Sequence, residues 1–314
     1  MDEGAYRAAE RVLFDALGVD VRERWVEVPR TRLRVLEIGE GEPVLFVHGS
    51  PNASPTWVAL AAALRGRRAL LLERPGAALG PPMPVWRDFR REVVAVLESA
   101  LDQLGLDAVD VVGSSFGGLY AYYLAVDAPE RVRRLVQIGA PAGPACLPMP
   151  GIFRLLSVLP LIPGASRFVP RPDAEGAKGM HREIGHGASI DRGVVPEVWF
   201  SWYAALLRHT DCMVNLCGEV RGLATPFGYR RGQGLADAEI AGLEMPLLYL
   251  WGSADTFASP AQGAKLAALT PGAVFEQLDG MGHLPWLDDP IHVADRLQAF
   301  LASATRGEAR DRIG

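Results

Sequence analysis

The chain has 314 residues, 49% of them hydrophobic and 22% charged, with a net charge of −5. That length and apolar content fit one large α/β domain with an insertion, or two smaller domains around substantial cores. No basic run offers a nucleic-acid footprint and no acidic tail a disordered partner segment, no apolar run approaches the roughly 20 residues that span a bilayer, and Met1-Asp2-Glu3-Gly4 does not open a signal peptide.

Tyr6, Ala9, Leu13 and Leu17 recur at helical spacing before Gly18, which predicts a short amphipathic leader helix. Val21–Val28 and Arg32–Ile38 alternate and form two antiparallel strands joined at Pro29-Arg30-Thr31. From Pro43 the pattern changes to short, continuous apolar runs: Val44–Val47, Ala69–Leu72, Val109–Val112, Leu135–Ile138 and Leu247–Leu250, with Val274–Leu278 after them. Helical stretches separate these runs, and strands buried on both faces between helices signal a parallel sheet. Ser54-Pro55, Ser259-Pro260 and Asp289-Pro290 each place a capping side chain before a proline suited to the first helical position. Phe89, Val93, Val96, Ala100 and Leu104 mark one buried helical stripe, and Val293, Leu297 and Phe300 mark another. Residues after about Ser303 are mostly polar and are expected to fray.

The alternation breaks between Pro141 and Ala241, where eight prolines fall between Pro141 and Pro172. An aromatic helix over Val198–Leu207 and a glycine-rich return, Gly228 to Gly234, follow. Residues 141–240 are therefore expected to cap the carboxyl edge of a core formed by 1–140 and 241–314. Cys146, Cys212 and Cys217 include no Cys-x-x-Cys pair, which points to a reduced, cytoplasmic protein. His209, Cys212 and Cys217 lack a suitably spaced fourth ligand, so no metal is expected.

The apolar strand Val109–Val112 runs into Gly113-Ser114-Ser115-Phe116-Gly117-Gly118. In the frame Gly113-x-Ser115-x-Gly117 the glycines let strand and helix backbones approach, and the central serine is lifted out of the sheet. Such a serine becomes a nucleophile when a base lies within reach; a Gly/Ser-rich loop is the plainer alternative. Ser114 fits the turn worse, because its flanks would be Val112 and Phe116.

Of the six histidines, His283 sits in a glycine-flanked loop, Gly280-Met281-Gly282-His283, after the last strand, and is the candidate base. His48 more plainly shapes a loop, His181, His186 and His209 lie in the insertion, and His292 falls inside the last helix. Asp255, just past the Leu247–Leu250 strand, is the candidate acid that would orient His283. Asp279 and Asp288 are nearer in sequence, and Asp288 and Asp289 have a simpler use at the start of the final helix. The Phe116 amide and the Ser50 amide, in His48-Gly49-Ser50-Pro51-Asn52, are candidate oxyanion donors.

These pieces resemble the α/β-hydrolase superfamily: His48-Gly49-Ser50-Pro51, Glu73-Arg74-Pro75-Gly76, Gly113 to Gly118, Trp251-Gly252-Ser253-Ala254-Asp255 and Gly282-His283 occur in its order, over about residues 20–140 and 240–303. The resemblance implies a mostly parallel sheet of about eight strands, a helical cap after the sixth and no cofactor. It departs at Glu73, where the family usually has aspartate, and at Ser114, where many esterases have histidine and carbon–carbon-bond hydrolases often have asparagine. The expected activity is hydrolysis of a small or medium carboxylic ester or lactone. The alternatives are carbon–carbon cleavage of a diketone-like substrate, a non-hydrolytic cyclase or lyase, and a ligand-binding receptor. Trp199, Tyr203 and Trp286 are candidate substrate contacts, although an aromatic stripe more often packs cap against core. Arg182, Arg192 and Arg208 are candidates for holding a substrate carboxylate.

Overall fold

The computed structural model describes residues 1–83, 87–159 and 171–302, so the expected tail after about Ser303 lies outside the described residues. The strands are β1 (Arg22–Val28), β2 (Thr31–Ile38), β3 (Glu42–Val47), β4 (Arg67–Leu72), β5 (Val109–Gly113), β6 (Val132–Ile138), β7 (Ala224–Thr225), β8 (Gly228–Tyr229), β9 (Leu247–Gly252) and β10 (Val274–Leu278). The helices are α1 (Glu3–Leu17), α2 (Val58–Ala63), α3 (Phe89–Leu104), α4 (Phe116–Asp127), α5 (Gly151–Val158), α6 (Ala174–His181), α7 (Gly187–Asp191), α8 (Glu197–His209), α9 (Cys212–Leu223), α10 (Asp237–Ala241), α11 (Pro260–Ala267), α12 (Pro285–Asp288) and α13 (Pro290–Leu301).

The main sheet has eight strands in the order β1-β2-β4-β3-β5-β6-β9-β10. Only the β1–β2 and β2–β4 pairs are antiparallel. Within this sheet, every pairing from β4 through β3, β5, β6 and β9 to β10 is parallel. The central strands are buried on both faces because helices cover both. Leu45, Val47 and Val111 pack with Phe89, Val93 and Leu97 on one side. Val44, Phe46 and Val112 pack with Trp57, Val293 and Leu297 on the other. Register aligns Val47 with Gly113 and Leu278 with Gly252. The residues that follow these strands therefore emerge along one carboxyl edge, where open α/β sheets hold ligands.

Two of the three expected caps are present. Ser259 forms a capping box with Gln262, and Asp289 accepts from the His292 amide at the start of α13. Ser54 does not cap: Ser54–Trp57 is a 3-10 turn preceded by Ala53, and the Ser54 hydroxyl turns instead to Glu73 at 3.4 Å. Ala53 occupies the cap position and Ser54 is the first residue of the turn, so its hydroxyl is not placed to accept from the next amides.

Between β6 and β9 lie α5 to α10 and the small β7–β8 hairpin. This segment reaches the carboxyl-edge loops at separate points. Tyr203 donates to the Pro51 carbonyl at 3.0 Å, and Asn215 donates to the Gly76 carbonyl at 3.0 Å. The N-terminal helix joins it from the other side: the Asp2 amide donates to the His209 carbonyl, and Tyr6 and Leu13 share a buried cluster with Trp202 and Leu206. No described helix is long and apolar enough to cross a membrane.

Arg34, on β2, is buried and gathers three carboxylates from different elements. It holds both oxygens of Glu10 at 2.7 and 2.6 Å, Glu23 at 2.8 Å and Glu73 at 3.5 Å. Burial pushes the Glu73 carboxyl up, against the pull of Arg34 and of the Gly80 and Leu79 amides. Glu23 goes the other way. Burial would raise it, but its bonds to Arg7 and the charge of Arg34 bring it from 4.5 to about 2. A carboxyl depressed on folding contributes stability that is complete above its unfolded value and is lost as pH falls through the folded one. Glu23→Gln should lower stability at neutral pH and flatten the acid limb between 4.5 and about 2, measured by urea unfolding across that range. An unchanged limb would remove Glu23 from the acid response.

Candidate active site

Ser115 stands at the turn from β5 to α4 with φ 54° and ψ −120°, a conformation that non-glycine residues rarely adopt. Close packing enforces it. A Cβ at Gly117 would lie 2.1 Å from the Val47 carbonyl oxygen, and one at Gly113 would lie 2.8 Å from the Gly118 Cα. The glycines are therefore required on both sides of the serine. Ser115 is half-buried, whereas Ser114 is fully buried with a hydroxyl that has no protein partner. Of the two serines, only Ser115 has access to a ligand.

Asp255 follows β9 and His283 follows β10, the next strand in the sheet. His283 Nδ1 bonds Asp255 Oδ2 at 2.8 Å, with both residues buried. Asp255 also accepts from the Ala140 and Phe257 amides at 2.9 Å each. Burial would raise the Asp255 carboxyl, but the attraction of His283, their hydrogen bond and the two amides hold it below its ordinary value. An ionised Asp255 fixes the proton on His283 Nδ1 and leaves Nε2 with the lone pair. That Nε2 is buried and has no protein partner.

One turn connects the serine to this pair. The Ala142 amide donates to the Ser115 carbonyl, the Ala140 amide donates to Asp255, and a Cβ at Gly139 would lie 3.3 Å from His283 Nδ1. No hydrogen bond joins Ser115 Oγ to His283 Nε2 in this structure; such bonds commonly tighten only when substrate is bound.

The other acids have different work. Asp279 is exposed and accepts from Gln277, Asp289 caps α13, and Asp288 bonds His186 at 2.9 Å. Asp288 therefore departs from the expectation that it serves the start of the final helix, because a buried histidine 102 residues away competes for it.

The loop after β3 lies against the serine. A Cβ at Gly49 would sit 2.9 Å from Ser115 Cβ and 3.5 Å from its Oγ. Phe116 is the first residue of α4, and a helix leaves its first amides without intrahelical acceptors. Arg74, buried after β4, holds the facing loop rigid. It donates from Nε to the His48 carbonyl and from Nη2 to the Gly49 carbonyl at 3.0 Å each, and also to the Ser50 hydroxyl. Its Nη1 pairs with Glu219 of α9 at 2.7 Å, which also accepts from Tyr120. Its guanidinium lies 4.9 Å from the centre of the Phe116 ring. His48 is held well below its ordinary pKa by burial and by Arg74, and its ring bonds the Arg74 amide and the Gly49 carbonyl. It shapes this loop, as its place after β3 suggests. The sequence carried no signal for the ties of Arg74.

The aromatic candidates Trp199, Tyr203 and Trp286 are all buried in one cluster, so none of the three is placed as an open substrate contact. Trp286 stacks on Trp57 at 4.0 Å and donates to the Thr56 carbonyl at 2.8 Å. It is a core residue, which corrects the expectation of substrate contact: its ring face and its N–H are both committed to the 54–57 turn. Trp199 and Tyr203 stack on each other at 5.4 Å, and His181 meets each edge-on at 4.7 Å. Burial pushes His181 down to about 4, so it is neutral near pH 7. Arg182, Arg192 and Arg208 are exposed; Arg182 pairs with Asp191 and Arg192 bonds Ser189. Among the described residues no group of three or more His, Cys, Asp or Glu is placed to hold a metal ion.

The model of the Alpha/beta hydrolase family matches residues 44–296. A 2-hydroxy-6-oxononadienedioate/2-hydroxy-6-oxononatrienedioate hydrolase of Pseudomonas putida is 28% identical over 278 residues, covering 80% of this chain and 85% of that protein. A Bacillus subtilis carboxylesterase superposes with a TM-score of 0.75 at 20% identity, covering 95% of this chain and 98% of the other. An enol-lactonase of Burkholderia xenovorans LB400 gives 0.70 at 18% identity, covering 89% and 100%. At these identities the two structures speak for the fold.

The strain at Ser115 yields a stability test. Ser115→Gly should be more stable than Ser115→Ala by about 1 kcal/mol or more, since only glycine relaxes the positive φ. Equal urea midpoints would show that the turn is unstrained. Arg74→Met should destabilise by about 3–5 kcal/mol in the same assay, because it leaves Glu219 buried without its cation.

Proposed function

The chain belongs to the Alpha/beta hydrolase family, and we propose that within it the protein is a serine hydrolase of small or medium, uncharged carboxylic esters or lactones. The observation that carries this reading is the buried Asp255–His283 bond, with a free Nε2, beside a serine held in a strained turn. Ser115 Oγ attacks the carbonyl carbon as His283 Nε2 takes its proton. The Phe116 and Ser50 amides receive the charge that develops on the carbonyl oxygen. Collapse of the tetrahedral species breaks the ester C–O bond, and His283 returns the proton to the departing alcohol. Water, deprotonated by His283, then attacks the acyl-Ser115 ester, and the acid leaves with the serine hydroxyl restored. Asp255 stays ionised throughout and stabilises the imidazolium.

The name of the Pseudomonas relative supports a second reading, carbon–carbon cleavage of a vinylogous diketone by the same residues. A dicarboxylate substrate of that kind calls for a cation in the pocket. Every described arginine of the insertion is exposed, and buried Arg74 is already paired with Glu219. This favours the uncharged ester.

A fluorophosphonate probe should label Ser115, located by mass spectrometry, and Ser115→Ala should abolish labelling. Asp255→Asn should lower kcat by about 10⁴-fold on a good ester substrate, as loss of the orienting acid does in other triads. Adduct at another residue, or full turnover in Ser115→Ala, would overturn the assignment. Esters of graded chain length assayed beside a 2-hydroxy-6-oxo-dienoate separate the two readings. Faster cleavage of the dienoate would select carbon–carbon chemistry.

A further inference from the structure

A second buried His–Asp pair lies behind the first. His186, at the kink between α6 and α7, meets Asp288, the last residue of α12, through Nδ1 and Oδ2 at 2.9 Å. The Leu284 amide donates to His186 Nε2 at 3.1 Å. That nitrogen therefore carries the lone pair and Nδ1 the proton, which gives a neutral ring facing a carboxylate. Asp288 Oδ2 also accepts from the Gly282 amide at 2.8 Å. Between those two amides, the amide of His283 itself donates to the Ile184 carbonyl at 2.9 Å. Three consecutive amides, 282 to 284, are thus held by Asp288, Ile184 and His186.

The kink is wedged against the acid loop as well. Gly185 has φ +99°, and a Cβ there would lie 2.1 Å from the Ala254 carbonyl oxygen and 3.0 Å from the Gly282 Cα. Thr256, next to Asp255, donates to the Glu183 carbonyl at 3.0 Å. A loop reading Gly280-Met281-Gly282 has little stiffness of its own. The core holds its first part, where Ser253 accepts from the Gly280 amide and the Ala254 amide donates to the Met281 carbonyl, and insertion residues 183–186 hold the amides of 283 and 284.

We propose that His186 and Asp288 are positioning residues: they set the place of His283 relative to Asp255 and Ser115, and so make the insertion part of the catalytic geometry. This rests on the assignment of His283 as the base. Misplacing a reacting group by about 1 Å can cost about 10²-fold in rate.

The test counts active sites by fluorophosphonate titration run to completion and expresses kcat per titrated site, so that unfolded protein does not register. His186→Ala should lower kcat per site by about tenfold or more, with KM within about twofold. His186→Asn, which keeps an N–H near the place of Nδ1, should fall between it and wild type. Asp288→Asn keeps the side-chain shape and should lose rate in the same sense, so it serves if His186→Ala does not fold. A kcat per site within about twofold of wild type in His186→Ala or Asp288→Asn would overturn the proposal. Ser115→Ala and His283→Ala run alongside. Loss of turnover in both, with wild-type rate in the His186 variants, overturns positioning alone. Turnover surviving in His283→Ala overturns the base assignment itself.

Discussion

Two adjacent buried charges organise this molecule. Glu73 and Arg74 follow β4 with almost no exposure, and an ion taken out of water costs several kcal/mol unless it finds its opposite. Their requirements are met in opposite directions. Glu73 is answered by Arg34, which brings in Glu10 of α1 and Glu23 of β1. Arg74 is answered by Glu219 of α9. The same guanidinium spends its remaining donors on the carbonyls of residues 48 and 49, the loop that faces Ser115. Leader helix, sheet, the loop after β3 and the insertion are thereby tied through two consecutive residues.

The site adds a second constraint, steric rather than electrostatic. Ser115 keeps its unfavourable backbone because β3 and α4 touch where Gly117 passes the Val47 carbonyl. Strain of this sort persists only where its surroundings over-determine it. The histidine side of the site works by a different logic. His283 sits in a loop of low intrinsic stiffness, and hydrogen bonds from both the core and the insertion hold it. The serine turn is therefore fixed by packing within the core, and the histidine loop by hydrogen bonds from core and insertion together.

Local pattern made much of this legible. Buried parallel strands appear as apolar runs, and the β5–α4 turn shows its glycines at fixed offsets from Ser115. Asp255 and His283 follow strands in a recognisable order, and the structure joins them. Long-range pairing left no local trace. Nothing near His186 or Asp288 indicates that they meet across 102 positions, and Asp288 looked like a helix-start residue because Asp289 beside it is one. Ser54 carried the signature of a cap, but the structure gives its hydroxyl to Glu73, a partner whose proximity depends on the sheet. Trp286 stands in the sequence as a candidate substrate contact. Its stacking on Trp57 depends on α12 folding back over the 54–57 turn.

The seat of α8 on α1 bears on modularity. Segments inserted between two strands are commonly regarded as exchangeable parts of a fold, to be swapped for new specificity. Here Tyr6 and Leu13 share a buried cluster with Trp202 and Leu206, the Asp2 amide binds the His209 carbonyl, and Glu10 of the same helix serves Arg34 in the core. The unit that would have to travel is discontinuous: the first seventeen residues go with the stretch between β6 and β9. A chimera cut only at those two strands would carry over a roof without the beam on which it rests.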